Sequence, residues 1–353
     1  MRKLPIYFLL DVSESMIGSP IESVQSGLAS IVKSLKSDPY ALETVYLEVI
    51  VFAGKAKVLV PLEELAVYYP PVLPIGSGTS LGEGMNLLMN ELDKNTVKRS
   101  STFRGDWKPI VYIFTDGVPT DKYDKYLQKW ELNYKSKINT VVVSIGNNID
   151  SRLLERISEN VFDFNTTDPK AFTSFFKWIT DSIKTHSVKI DSSNDDDLDI
   201  RQINDLDDVE KIDLSKGNRP NVDQNTVTLL GKCQNTHSGY IIKYNKYKEN
   251  SNAFNDFGFM VTGFSLEGAF KINLDEFRSL SQNININQHV NTAELRNFPS
   301  CPCCGNQIAV AICSCGSIFC ADPENIEQTC PWCHNTSYFG RGNGDIDIER
   351  TIG

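Results

Sequence analysis

The sequence lacks several features that would each announce a function. No stretch of its 353 residues approaches the roughly 18–20 consecutive apolar side chains that a membrane helix requires, so a helical span is excluded. Near the start, Pro5 to Leu10 is a run of six before Asp11 interrupts, with no small-residue cleavage site after it. A secretory leader is therefore not expected, and a cytoplasmic protein is. There is no G-x-x-x-x-G-K-[ST] loop, and Gly76, Gly78, Gly82 and Gly84 do not give G-x-G-x-x-G spacing after a strand, which removes the common nucleotide-binding readings. Histidine is scarce: His186, His237, His289 and His334 are the four, all far in sequence from the loops discussed below. Positive charge is also short. Lys and Arg number 35 against 45 Asp and Glu, a net of -10, so the basic footprint of a nucleic-acid binder is missing.

What is present is ordinary globular material, 41% hydrophobic and 23% charged, enough for two or three domains. Residues 191–213 hold ten acidic side chains against Arg201 and Lys211, a net of -8, and read as a solvated linker. Before it, apolar strand runs alternate with amphipathic helices. Leu4 to Leu10, Ile110 to Thr115 and Thr140 to Ile145 read as buried strands, and Val45 to Phe52 with Lys57 to Val60 as a hairpin around Gly54. Val161 to Phe164 is a further strand. Helices are expected from Ser19, where Ser19 caps, Pro20 opens and Glu22 completes a capping box, and over 81–92, 123–134, 151–157 and 172–183. This pattern predicts an α/β fold with a doubly wound, mostly parallel sheet over 1–188. Residues 189–225 are then the acidic linker. From 226 to 340 the texture predicts a small β-rich module with strands at 227–230, 240–244, 257–264 and 269–274, and 341–353 a flexible tail.

Three segments of the first region fall at the carboxyl ends of apolar strands or just before a helix: Asp11-Val12-Ser13-Glu14-Ser15, Gly76-Ser77-Gly78-Thr79-Ser80 and Phe114-Thr115-Asp116-Gly117. Ligands in open α/β sheets bind at that edge. Carboxylates and hydroxyls converging there form an all-oxygen set suited to a hard divalent cation. Glu14 and Asp121 read as solvated loop charges. No placed base or second carboxylate cluster supports a metal-dependent hydrolase, which remains a weak alternative.

Eight of the nine cysteines lie between Cys301 and Cys333. In a reducing compartment such a cluster reads as metal ligands. Cys301/Cys304 and Cys330/Cys333 are two C-x-x-C knuckles whose four thiolates satisfy a tetrahedral, closed, structural Zn²⁺. Cys313, Cys315 and Cys320 admit two readings: spectators of a zinc ribbon, or members of a cross-braced pair of sites, Cys313/Cys315 joining one knuckle and Cys320 the other. Cys303 sits inside a knuckle, and His334 could replace a thiol. One site is expected and a second left open. Cys233 reads as a buried small apolar residue. Zinc ribbons often bind nucleic acid, but residues 299–340 carry no Lys or Arg, Arg341 lying just beyond, so a nucleic-acid-associated adaptor is the lesser alternative.

The first constellation resembles the metal-ion-dependent adhesion site (MIDAS) of the von Willebrand factor A domain, whose D-x-S-x-S loop, distant Thr and further Asp match Asp11, Ser13, Ser15, Thr79 and Asp116. The resemblance covers about residues 4–186. It implies Mg²⁺ or Mn²⁺ held by the two Ser and the Thr directly or through water, the Asp residues acting through water, and a partner's carboxylate at the remaining position. Taken nearly full length, the chain is similar to the tellurite-resistance-associated TerY family. That likeness rests on Leu4-Pro5-Ile6-Tyr7, Asp38-Pro39-Tyr40-Ala41-Leu42-Glu43-Thr44, Gly105-Asp106-Trp107-Lys108-Pro109, Gly231-Lys232-Cys233-Gln234 and the knuckles with Cys330-Pro331-Trp332-Cys333. It implies a non-catalytic interaction scaffold associated with a protein kinase and a PP2C-type phosphatase in a bacterial stress or phosphorylation system.

Overall fold

The computed structural model describes residues 2–97, 105–116, 118–145, 151–164, 169–189, 210–211, 225–248, 262–282, 288–338 and 346–351. Two compact units emerge, one of residues 1–73 with 79–221 and the other of 74–78 with 222–353.

In the first unit, a seven-stranded sheet runs in the order β3-β2-β1-β4-β5-β6-β7. The strands are β1 (Leu4–Asp11), β2 (Val45–Phe52), β3 (Ala56–Glu64), β4 (Ile110–Thr115), β5 (Asn139–Ile145), β6 (Val161–Phe164) and β7 (Glu210–Lys211). β2, β1, β4, β5 and β6 are mutually parallel, with β3 and β7 antiparallel at the edges. β1, β4 and β5 are buried along their whole length, as expected of strands covered on both faces. The helices are α1 (Ser19–Leu35), α2 (Pro39–Thr44), α3 (Leu81–Asn95), α4 (Asp124–Asn133), α5 (Ser151–Ile157) and α6 (Pro169–Lys189). α3, α4 and α5 cover one face over Tyr7, Leu9, Ile50, Phe52, Val111, Ile113 and Val142. α1 lies along α6, where Gly27 leaves room for the Phe176 ring; a Cβ there would meet it at 2.1 Å.

Two local expectations are corrected, and one helix not expected from the sequence, α2, is added. Ser19 does not cap α1: Gly18 occupies the cap with φ 92°, a conformation glycine adopts without strain, and Ser19 is the first helical residue. Asp38 caps α2, accepting from the amides of Tyr40 and Ala41 at 3.0 Å each. The acidic segment is not wholly a linker, because Glu210–Lys211 pairs with β6. Its remaining residues between 190 and 224 lie outside the described ones.

In the second unit, a six-stranded sheet has the order β12-β10-β9-β8-β14-β13, built from β8 (Thr226–Lys232), β9 (Gly239–Lys248), β10 (Thr262–Ile272), β12 (Leu295–Arg296), β13 (Ile308–Ile312) and β14 (Ile318–Ala321). α7 (Leu274–Leu280) follows β10, its Asn273 cap accepting from the Asp275 and Glu276 amides. The strands expected at 257–264 and 269–274 prove to be one from Thr262 to Ile272; Gly268, which reads as a separator, marks a bulge, and Leu274 already opens a helix. Residues 257–261 lie outside the described ones. Two short antiparallel pairs complete the unit, the hairpin of β15 (Glu327–Thr329) with β16 (Thr336–Tyr338) and the long-range pair of β11 (His289–Asn291) with β17 (Asp347–Glu349). β17 overturns the expectation of a loose tail within 346–351, where Ile348 is buried in the core and Thr351 donates its amide to Thr228; residues 341–345 and 352–353 lie outside the described ones. The apolar side chain of Ile348 makes that strand, against a Gly-rich approach that suggested none.

Candidate metal centres

Strand register builds the first site. β1 and β4 are parallel neighbours with Leu10 opposite Phe114, so Asp11 and Thr115 stand side by side at adjacent carboxyl ends. This is where the order reverses, β1 leading to β2 on one side and the chain returning to β4 on the other. Thr115 Oγ1 donates to Asp11 Oδ2 at 2.7 Å, and the Ser13 amide to Asp11 Oδ1 at 2.9 Å. The Ser13 and Ser15 hydroxyls lie 2.9 Å apart, and Ser15 Oγ donates to Asp116 Oδ1 at 2.9 Å. Thr79 is placed on the neighbouring loop by an exchange with Thr120: the Thr79 amide donates to Thr120 Oγ1 at 3.0 Å and the Thr120 amide to the Thr79 carbonyl at 2.8 Å.

Burial sets the electrostatics. Asp11, Ser13, Ser15 and Thr79 are all buried, and burial lifts the Asp11 carboxyl to about 6, against the pull of its bonds from Ser13 and Thr115. Thr79 Oγ1 is buried with no hydrogen-bond partner. A buried hydroxyl without a partner is costly. The oxygens joined from Asp11 through Ser13 and Ser15 to Asp116 are themselves an all-oxygen set with two carboxylates, so the residues present fit a hard divalent cation. Glu14 and Asp121 are not the solvated charges expected. Glu14 is buried in the turn after Ser13, and Asp121 accepts from the Gly82 and Glu83 amides at 3.3 and 3.1 Å, holding the first turn of α3.

The thiols of the second unit form two groups, in each of which all four sulfurs lie within 4.8 Å of one another. One is Cys233, Cys301, Cys304 and Cys320; the other Cys313, Cys315, Cys330 and Cys333. The knuckles Cys301/Cys304 and Cys330/Cys333 therefore do not share an ion, and Cys233 is a member of a cluster rather than only a buried apolar residue. Measured sulfur pairs are 3.8 Å (Cys304–Cys320), 3.7 Å (Cys233–Cys320), 3.6 Å (Cys313–Cys333) and 3.9 Å (Cys315–Cys330). Disulfides need about 2.05 Å. Four sulfurs at about 2.3 Å from one tetrahedral zinc stand about 3.8 Å apart, which these spacings fit. Burial raises the Cys330 thiol to about 12 and Cys320 further, whereas, against burial, hydrogen bonds bring Cys233 down to about 7 and Cys315 to about 6, so each set needs a cation to hold all four sulfurs as thiolates. Cys303 belongs to neither group; its sulfur faces the Gly239 carbonyl at 3.8 Å.

One backbone device recurs. The amides of Cys233, Cys301 and Cys330 donate to the carbonyls of Ser238, Asn306 and Asn335, and their carbonyls accept from His237, Gly305 and His334, each of the latter at positive φ. Cys313 makes the same turn one residue shorter, with Gly316. The signal for Cys233 was therefore in the sequence: Cys233-Gln-Asn-Thr-His-Ser repeats Cys330-Pro-Trp-Cys-His-Asn with Thr236 for the second thiol.

With this geometry established, comparison places both units. A family model described as von Willebrand factor type A domain matches residues 6–178, and one described as TerY-C metal binding domain matches 223–353. Neither description names a catalytic family. No curated protein matches the chain significantly. Among solved structures, the pilus adhesin SpaC from Lactobacillus rhamnosus GG is similar at 13% identity over 52% of this chain and 31% of its own, with a TM-score of 0.43. The PilB minor pilin from Streptococcus sanguinis matches at 13% identity over 54% and 64%, TM-score 0.40. Proximal thread matrix protein 1 from the mussel byssus matches at 16% over 51% and 48%, TM-score 0.37. The chain thus spans about a third of the SpaC adhesin, and at these scores the likenesses add nothing to the fold described above. No described helix is long and apolar enough to cross a membrane. The chain thus joins a von Willebrand factor type A domain to a TerY-C metal binding domain, the pairing that its resemblance to the TerY family implies.

Proposed function

We propose that this protein is a non-catalytic, cytoplasmic adaptor that binds a protein partner through a metal ion. Asp11, Ser13, Ser15, Thr79 and Asp116 hold Mg²⁺ or Mn²⁺, and an acidic side chain of the partner completes the coordination. The observation that carries this is Thr79 Oγ1, buried and without a hydrogen-bond partner. An ion with so few anionic protein ligands attracts an external carboxylate. The partners we propose, on the TerY resemblance, are a protein kinase and a PP2C-type phosphatase of a bacterial stress or phosphorylation system, with the zinc module as a second contact surface.

The test is capture from native lysate on the immobilised full chain. Kinase and phosphatase should be retained in Mg²⁺ or Mn²⁺, lost in EDTA and lost from Asp11→Ala, Thr79→Ala and Asp116→Ala. Equal retention of either enzyme by the parent in chelator and by Asp11→Ala would remove the metal loop as its docking surface.

A further inference from the structure

The two thiol clusters are alike in ligand type and in sulfur spacing, yet they sit in different surroundings. Cys233, Cys301 and Cys320 are buried in the main core of the second unit, among Val227, Leu229, Tyr240, Ile242, Ala309 and Ile318. Their ligands come from the turn after β8, the loop before β13 and the strand β14, so an ion there ties together segments far apart in sequence and in one sheet. Amides also hold the sulfurs: Gln234 donates to Cys320 Sγ at 3.2 Å and Thr236 to Cys233 Sγ at 3.3 Å.

The second cluster is more open, although its Cys313 and Cys330 are buried and amides also reach its sulfurs, those of Trp332 and Cys333 at Cys330 and that of Ser317 at Cys315. Cys315 is exposed and Cys333 half-buried, and the apolar cluster around it is only Ala311, Phe319, Ala321 and Trp332 besides the thiols. All four ligands fall between residues 313 and 333, a short loop whose closure costs little entropy with or without an ion. The hairpin it supports, β15 with β16, is two-stranded, with Tyr338 81% exposed. A two-stranded hairpin of this kind has little stability of its own.

Metal exchange at a tetrathiolate site proceeds by an incoming ligand or ion reaching a sulfur, and burial blocks that approach. We infer that the two clusters have separate roles: the Cys233 cluster is a permanent part of the core, whereas the Cys313 cluster is an exchangeable site, open through Cys315 to chelators and to cations softer than zinc. Thiolate sets bind soft cations strongly, so the class of competitor is a thiophilic metal ion. The sheet keeps its fold when the exchangeable ion leaves, and the β15–β16 hairpin alone loosens. The module would then present two surfaces, one with and one without that metal.

Cadmium is the probe, added to the zinc-loaded full chain while released zinc is followed with a colorimetric indicator. Two zinc ions per chain should leave in two phases whose rates differ by at least about tenfold. Cys315→Ser should lose the fast phase and retain one slowly released zinc with unchanged circular dichroism. Hydrogen exchange on the chain stripped of its fast zinc by a chelator, with no cadmium added, should rise at residues 327–338 and stay unchanged at 226–232 and 318–321. Release of both ions at one rate, a single zinc in the parent, or loss of the slow phase in Cys315→Ser each overturns the assignment. Should Cys315→Ser fail to fold, that too overturns it, since the exchangeable site would then be structural.

Discussion

At the scale of single residues, buried carboxylates carry the clearest consequences. Asp11 is ionised only above about 6 in the folded protein, against an ordinary value near 3.8. A folded-state value raised in this way means the fold holds a proton that the unfolded chain releases, so stability falls as pH rises from about 4 to 6 and stays lower above. In chelator at pH 7.5, Asp11→Asn is therefore expected to raise stability of the first domain by about 1–2 kcal/mol, measured by urea denaturation; a loss of that size would show Asp11 to be a structural group instead. Glu48 behaves alike, with a neighbouring carboxylate adding to burial. It lies in β2 opposite Tyr7, under α3, where burial first and Glu91 second lift it to about 7, against Lys94 and Asn95. Asn95 Nδ2 bridges the two carboxylates, at 3.1 Å to Glu48 and 2.9 Å to Glu91. Stability from this group is present below about 4.5 and is lost as pH rises through 7, so Glu48→Gln should gain about 2 kcal/mol at pH 8 and little at pH 5. Parallel pH profiles of parent and variant would contradict that account. Both carboxylates were visible as interruptions of apolar strands, but only Asp11 fell at a strand's end where a ligand is expected; Glu48 gave no sign, because a charge inside a strand pattern normally points outward.

At the scale of elements, the sequence made some pieces legible and hid others for physical reasons. Buried parallel strands betray themselves by uninterrupted apolar runs, which is why β1, β4 and β5 stand within a residue or so of expectation. Caps and bulges are decided by one residue's backbone angle: Gly18 displaced Ser19 from the cap, and Gly268 bent a strand rather than ending it. The cysteine pairing was hidden because C-x-x-C spacing fixes which thiols share a turn, not which turns share an ion; that depends on β14 lying beside β8. The pairing has a direct test. Cys233→Ser should cost one zinc and as much β-structure as Cys301→Ser does, whereas Cys303→Ser should leave both ions in place. Circular dichroism with metal analysis would decide it, and a Cys233→Ser protein with full zinc content would break up the first cluster. The capping carboxylate is a smaller case: Asp121→Ala should destabilise the first domain by about 1 kcal/mol through loss of its bonds to the first turn of α3, read as a shift in denaturation midpoint.

At the scale of the whole molecule, charge and connectivity matter more than any one contact. Of the net -10, -8 sits in residues 191–213. If docking runs through the metal loop, this segment acts only as a screened background field. Changing Asp195, Asp196 and Asp197 to Asn should then shift partner affinity less than threefold at physiological salt, in a titration where Asp11→Ala abolishes it; a larger loss would make the segment a contact in its own right. Connectivity bears on how the protein is made. The first sheet is complete once β7 at Glu210–Lys211 has been synthesised, and that domain is free to fold while the ribosome is still reading the second. The second is different: β8 is its first strand, yet Thr351 and Arg350 bond to Thr228 and Thr226 of that strand, and Ile348 fills its core. Its nine cysteines therefore emerge, one after another, before the strand that closes their core, and the newborn module must keep its thiols reduced and unpaired until Cys333, the last of them, has cleared the exit tunnel.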